Sequence, residues 1–525
     1  MRSTFMGLEA SKRGLFVQQT ALYTTGHNIS NANTLGYSRQ RVNMQATQGF
    51  PTPGLNSPYF PGHLGTGVEA GSIQRIRDEF VDRQYRQETN KLGYWESRSN
   101  AITQMEDIMD EPSQFGLNAA FEQFWKGLQD VSTNPEQSSS RTVAIERASH
   151  LAESFNYIDT QLKRIQGNLG NEVKVATERI NSILKQIAAI NKQVQEVEPN
   201  GLVPNDLYDQ RDTLIDELNE YIPVSIKNVK SGGLASDVAE GSVTIIFKPF
   251  GTTTEIKLVD GKDFASIAVN SGTTQIDGNN LTNLFDNMTI TGSGMTDSGV
   301  VTYDQLEPGK GSLLSLIDSY GHDANKGYYP ETIAKLDKLA AEFANVFNAM
   351  HSLGFDLSGA AGIPDFFTSE SGGAITAGNI KVNDDLIADS SKLAASSQAN
   401  EEGNGKWAIE LANLQSMVQN GGTVTILGKT ITTSDLDGAT FNSFYQGMIG
   451  KLGTDGEEAY RLNKTSETLL ISISNNRASV SSVSLDEEMT NMITFQQAYN
   501  ANARMITVVD ETLDKIINGM GRVGL

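Results

Sequence analysis

The C-terminal stretch carries an apolar seam that leaves the chain few choices. Leu485, Met489, Met492, Gln496, Tyr499, Ala503, Ile506, Asp510, Leu513, Ile517 and Met520 follow one another in alternating steps of four and three, and only Gln496 and Asp510 are polar. That period of about 3.5 residues packs one helix along another. At the other end Leu8, Leu15, Leu22 and Ile29 are spaced seven apart. A narrow seam cannot be buried by the helix that bears it. The two ends are therefore expected to zip to each other or to neighbouring copies. The assembly interface is placed on Leu8, Leu15, Leu22, Ile29, Leu485, Met489, Met492, Tyr499, Ile506, Leu513 and Ile517, in segments expected to be frayed until a partner is met.

The interior has its own pattern. Residues 4–32 read as a helix with Ser3 as a possible cap. Residues 34–75, rich in Gly, Pro, Asn and Ser and including the turn at 51–54, read as a long, partly ordered connection. A second helix is expected over 77–108 and a third over 155–197, with two successive steps of four at 165–169–173, a stutter that relaxes a supercoil. Shorter helices are expected over 208–221 and 331–351. Residues 243–247 and 255–259 flank a turn-rich segment and read as a hairpin, while 380–382 and 423–427 are further strand candidates. The expected class is mainly α with β-rich insertions, nested and discontinuous. Residues 1–76 with 480–525 would form a terminal coiled-coil domain, and 77–229 with 309–364 and 441–479 a helical rod. Residues 230–308 would be a β-rich insertion and 365–440 a second, β-leaning one.

Charge and composition exclude several functions. The net charge of −22 opposes nucleic acid, whose phosphates need Lys and Arg, and an anionic membrane surface. There is no cysteine, so thiolate metal sites and disulfides are excluded. No apolar run approaches the ~18 residues of a membrane span, and the first residues lack the apolar core of a cleaved signal. This fits a cytoplasmic protein or one exported unfolded without cleavage.

Motifs for chemistry are weak. Gly428-Lys429-Thr430 lacks the glycine a phosphate loop needs at position 423, which is Thr, and reads as a turn after a strand. Gly65 to Gly71 has one residue too many for a dinucleotide fingerprint. Asp486, Glu487 and Glu488 are read as a helix start, with Ser484 and Glu487 forming a capping box. Asp209, Arg211 and Asp212 are read as surface or inter-helix ion pairs, each worth little. No catalytic, cofactor-binding or metal site is assigned and no small-molecule substrate is expected, so the chain is read as a non-enzymatic structural subunit.

The segment Asn28-Ile29-Ser30-Asn31-Ala32-Asn33-Thr34-Leu35-Gly36-Tyr37-Ser38-Arg39 resembles the N-terminal signature of bacterial flagellar axial proteins, the rod, hook and hook-associated proteins. Ser484 to Met489, followed by Phe495 to Arg504, resembles their C-terminal signature. Residues 155–197, 205–212, 336–355 and 384–397 resemble the hook-associated members. The resemblance implies terminal helices paired as an inner coiled coil, a surrounding helical domain and outward β domains. It implies a place at the hook–filament junction, extracellular, reached by the flagellar type III route without a cleaved signal. The implied partners are other copies of the chain, the hook subunit, the second junction protein and an export chaperone on the C-terminal helix. Two other readings remain open: the hook subunit itself, and an exported adhesin or hydrolase carried by the β insertion.

Overall fold

The computed structural model describes residues 5–50, 65–109, 116–272, 284–293, 298–323, 325–370 and 372–519. Ser3, Met520 and the turn at 51–54 lie outside the described residues.

The chain begins with α1 (Phe5–Ser30) and an antiparallel ribbon of β1 (Gln40–Ala46) and β2 (Val68–Arg75). The helical body follows: α2 (Glu79–Met109), α3 (Leu117–Thr133), α4 (Ser138–Val197) and α5 (Asn205–Tyr221). A six-stranded antiparallel meander comes next, in the order β3 (Ser225–Val229), β4 (Ser242–Phe247), β5 (Ile256–Asp260), β6 (Asp263–Ser271), β7 (Phe285–Ser293) and β8 (Gly299–Thr302). The body resumes with α6 (Ser312–Tyr320) and α7 (Tyr328–Leu353). A second insertion holds β9 (Phe367–Ser369), β10 (Ile380–Val382), α8 (Asp384–Ala388), α9 (Lys406–Asn413), β11 (Gln419–Asn420), β12 (Thr423–Ile426), β13 (Lys429–Thr432) and β14 (Asp435–Ala439). Two long helices, α10 (Phe441–Ser481) and α11 (Leu485–Asp514), close the chain. The fold is mainly α with β-rich insertions. Among the described residues no helix is long and apolar enough to cross a membrane.

Among the described residues two large cores hold the body, and α4 belongs to both. At 60 residues it spans about 90 Å. It starts well before the predicted 155, because the first turns bury Ala144, Ala148 and Ala152, small residues that leave a faint apolar signal. Its N-terminal half packs with α2, α3, α7, α10 and the second insertion around Phe121, Phe124, Phe343, Phe347, Phe366 and Phe367. The rings of Phe121 and Phe343 meet edge to face at 5.2 Å, a favourable aromatic geometry. Its C-terminal half packs with α5, α6 and the sheet. The handover falls at the stutter: Leu169 lies in the first core and Val173 in the second.

The sheet is held to α4 by amide side chains as well as by burial. Asn181 donates to the Ile267 carbonyl and accepts from its N–H, at 2.8 and 2.7 Å. Asn191 does the same to Val243 at 2.8 and 3.0 Å. Asn348 of α7 holds Phe367 in this way, and Asn28 of α1 holds Gln40. Each clip satisfies one strand donor and one acceptor that burial would otherwise strand. Gly428-Lys429-Thr430 runs from a hairpin turn into β13: Leu427 and Gly428 form the turn after β12 with φ of 46° and 80°, and Lys429 lies over the Phe355 and Trp407 rings.

Candidate functional site

The terminal segments, expected to order only on assembly, are helical and paired within one molecule. α1 and α11 run antiparallel, and small residues set their contact line. A Cβ added at Gly7 would meet Val509 at 3.9 Å, and one at Gly14 would strike Asn502 at 2.8 Å. Further along, Asn28 donates to Glu488 at 3.0 Å. Gly7, Gly14, Ala21 and Asn28 are a heptad series, and so are Glu488, Phe495, Asn502 and Val509. The pairing therefore uses the heptad one residue before the leucine stripe. Leu8, Leu15, Leu22 and Ile29 flank it, half-buried. On α11, Tyr499, Ile506 and Leu513 are half-buried, whereas Leu485, Met489, Met492 and Ile517 are exposed. Small residues let two backbones come close, and the larger side chains are displaced to the flanks. On α1 a search for large apolar residues finds the stripe and passes over the small residues of the contact line.

The helix pair joins the body through a compact ionic joint. Three passages of chain cross there: the loop after α1, the link from β2 to α2, and the elbow between α10 and α11. The backbone ties them, with Arg39 N–H donating to the Ser481 carbonyl at 2.9 Å and Ile76 N–H to the Arg39 carbonyl at 2.8 Å. Arg39 grips α11 with both edges of its guanidinium, bonding Glu487 at 2.7 and 2.8 Å and Glu488 at 2.9 Å. Ser484 makes no side-chain cap bond. The predicted capping box is thus absent, because the Glu487 carboxylate is taken by Arg39.

Beneath Arg39 lies a buried lattice of alternating charge. Arg75 meets Asp209 at 2.7 Å, Asp212 at 2.9 Å and also Glu240. Arg77 meets Asp212 at 2.6 Å and Asp82 at 2.9 Å. Arg86 meets Asp216 at 2.6 Å, and Arg211 meets Glu240 at 2.9 Å. From the end of α10, Arg477 reaches Asp82 and Asp216, each at 2.7 Å, and lies over the Tyr85 ring. Burial would raise the Asp212 carboxyl, but Arg77, Arg75 and Arg86 overcome that and hold it far below the usual carboxylate range. Asp209 is pushed the other way: its burial outweighs Arg75 and the Ser38 N–H. Asp209, Arg211 and Asp212, read as surface or inter-helix ion pairs each worth little, are inter-element pairs, and the expectation of an exposed, weak contribution is corrected by their burial. The Arg75 and Arg211 side chains are 4% and 1% exposed. In such a setting, removing one partner strands the other at high cost.

Both signature segments converge on this joint. Asn28, Tyr37, Ser38 and Arg39 come from the first, Glu487 and Glu488 from the second, and Asp206, Asp209 and Asp212 from α5. The sequence distance between partners, up to 460 residues, hid the arrangement. The one available signal was the opposite charge of Arg39 and the acidic start of α11.

Comparisons with known proteins place the chain in a family. Residues 102–367 match the family described as the flagellar hook-associated protein FlgK helical domain, and residues 475–519 match the flagellar basal body rod FlgEFG protein C-terminal family. The chain is 42% identical to flagellar hook-associated protein 1 of Bacillus subtilis over 533 aligned residues, 99% of each protein. It is 23% identical to the Salmonella typhimurium protein of that name, over 96% of this chain and 98% of the relative. The flagellar hook junction protein FlgK from Burkholderia pseudomallei has a similar fold, with a TM-score of 0.59 at 14% identity over 76% of this chain and all of that one. Identity across the whole length, a matched helical domain and a shared fold establish that the chain belongs to the flagellar hook-associated protein 1 family, the hook-filament junction proteins of the bacterial flagellum.

Proposed function

We propose that the chain joins hook to filament by packing the outward faces of its terminal helix pair against neighbouring subunits, while the ionic joint fixes that pair to the body. One observation carries this reading. After α1 and α11 have covered each other, large apolar side chains remain on their outer faces: Phe16 and Tyr23 on α1, and Leu485, Met489, Met492 and Ile493 on α11. Burying each on a neighbour would contribute roughly 1.5–3 kcal/mol. The predicted interface residues thus divide into a flank that supports the pair and a free stripe that meets the next subunit. We assign the chain no catalytic role. Its partners are then further copies of itself, the hook subunit and the second junction protein. An export chaperone covering α11 would shield the same stripe beforehand, and export would proceed without a cleaved signal.

The test is Met489→Asp. The variant should fold as the unsubstituted protein does, by circular dichroism and thermal melting, yet fail to enter the hook tip, so that filament protein is secreted unpolymerised. Normal motility in cells carrying it would refute this use of the stripe.

A further inference from the structure

One carboxylate of the joint meets no arginine among the described residues. Asp206, at the start of α5, accepts from the Gln40 amide at 2.8 Å through Oδ1, and turns Oδ2 to the His27 Nε2 of α1 at 3.7 Å. The hydrogen bonds around His27 fix its tautomer. The Gln40 N–H donates to Asn28 Oδ1, so that oxygen is an acceptor, and the Tyr37 hydroxyl, 2.8 Å away, must donate to it. Burial, with Asp206, Asp209 and Glu488 nearby, raises the Tyr37 phenol well above its ordinary value, so it keeps its proton. That hydrogen is then committed. His27 Nδ1, 3.0 Å from the same oxygen, must be the donor. In the neutral ring Nε2 is therefore a bare lone pair aimed at a carboxylate oxygen.

Gln40 cannot relieve this by turning over, because its Oε1 accepts from Asn205 at 3.2 Å. The other acids facing the ring are already satisfied. Asp209 is held by Arg75 and the Ser38 N–H, Glu488 by Arg39 and Asn28, and Glu487 by Arg39. The Asn31 amide donates to the His27 carbonyl and its Oδ1 accepts from the Thr34 hydroxyl. A second proton on the imidazole would place an N–H⁺ opposite Asp206 and convert a mismatch into an ion pair between α1 and α5.

We propose that His27 and Asp206 form a proton-operated latch, which tightens the grip of the terminal helix pair on the body as the surroundings become acidic. Histidine side chains in general change charge between about pH 5 and 8, and the test is made on either side of that change. His27 and Asp206 are 32% and 58% exposed, which limits the effect to that of a partly screened ion pair.

The amides that bridge the joint report it: Ser38 N–H to Asp209, Arg39 N–H to Ser481 and Gln40 N–H to Asn28. After correction for intrinsic rates, their hydrogen exchange in the full chain should be about threefold slower at about pH 5.5 than at about pH 7.5. His27→Gln and Asp206→Asn should each remove that difference. An equal rate at both pH values in the unsubstituted protein, or a difference that survives in either variant, overturns the latch. Independently, nitrogen-15 shifts of the labelled ring, assigned through His27→Gln, should show the proton on Nδ1 at about pH 8. A proton on Nε2 there would overturn the hydrogen-bond argument itself.

Discussion

The body and the terminal pair are both built from long helices, but they are stabilised in opposite ways. In the body, large side chains interlock: Phe121, Phe124, Phe343 and Phe347 are fully buried among the helices around them. In the terminal pair the contact line is Gly7, Gly14, Ala21 and Asn28, and much of the apolar area of α11 faces outward. The first design fills a core with interlocking side chains. The second brings two backbones close, fixes their register, and holds its larger side chains in reserve. A subunit of an assembly needs both, and the ionic joint lies between them.

The contrast can be broken from either side. The largest effect is expected in the body and the joint. Phe343→Ala should cost about 3–5 kcal/mol in urea unfolding of the whole chain. Asp212→Ala should cost a similar amount, because it takes from the buried lattice the carboxylate that Arg75, Arg77 and Arg86 share, leaving each with fewer partners. The Asp212 carboxyl is depressed in the folded state, so its contribution is present above the ordinary carboxylate range and lost as pH falls below about 4. The two proteins should converge in stability there.

A second test separates two buried groups by sign. His351 donates through Nδ1 to the Ile363 carbonyl and accepts through Nε2 from the Ala394 N–H, and burial lowers its pKa to about 4. The folded state resists the proton that the unfolded chain takes up near 6.5, so stability falls as pH drops from 6.5 to 4. Burial raises Asp337 to about 6 from 3.8, so its folded state holds an extra proton and stability falls as pH rises across that window. Each shift corresponds to about 3 kcal/mol, and the two oppose one another. The stability difference between His351→Gln and the unsubstituted protein should shift in favour of the variant as pH falls from 6.5 to 4; a difference that does not change with pH would refute the assignment.

A smaller effect is expected within the terminal pair. Gly14→Leu pushes into Asn502 and should cost the pair about 1–3 kcal/mol, seen as faster proteolysis of α1 and α11 with the melting of the body unchanged. Asn502→Ala, which clears the space, should restore part of the loss. Smallest of all, Met489→Asp should change the isolated subunit by less than about 0.5 kcal/mol, since the side chain is already exposed.

Periodicity made α1, α2, α5, α7 and α11 legible, because each carries an apolar stripe at helical spacing. The hairpin of β4 and β5 was legible from its strand residues and intervening turn. α3 was overlooked although it buries Phe121, Phe124 and Trp125, as were the first turns of α4, where alanines make the contacts. The asparagine clips were not readable, since a buried Asn on a helix looks like any surface amide until the strand it serves is known. For the site, both signature segments pointed to the ends of the chain. Neither could say that Arg39 would reach Glu487 and Glu488, or that α5 would supply the carboxylates beneath them. On α1 the contact line lies one residue before the leucine stripe for a physical reason: apolar mass marks where a helix is greasy, and the glycines mark where it can be approached.

The sharing of α4 between both cores has a mechanical consequence. A continuous rod of 60 residues, clamped along one half by aromatic packing and along the other by a sheet, cannot let its two ends swivel separately. Torque entering at the sheet would therefore arrive at the aromatic half almost undiminished, as through a single shaft rather than a chain of couplings.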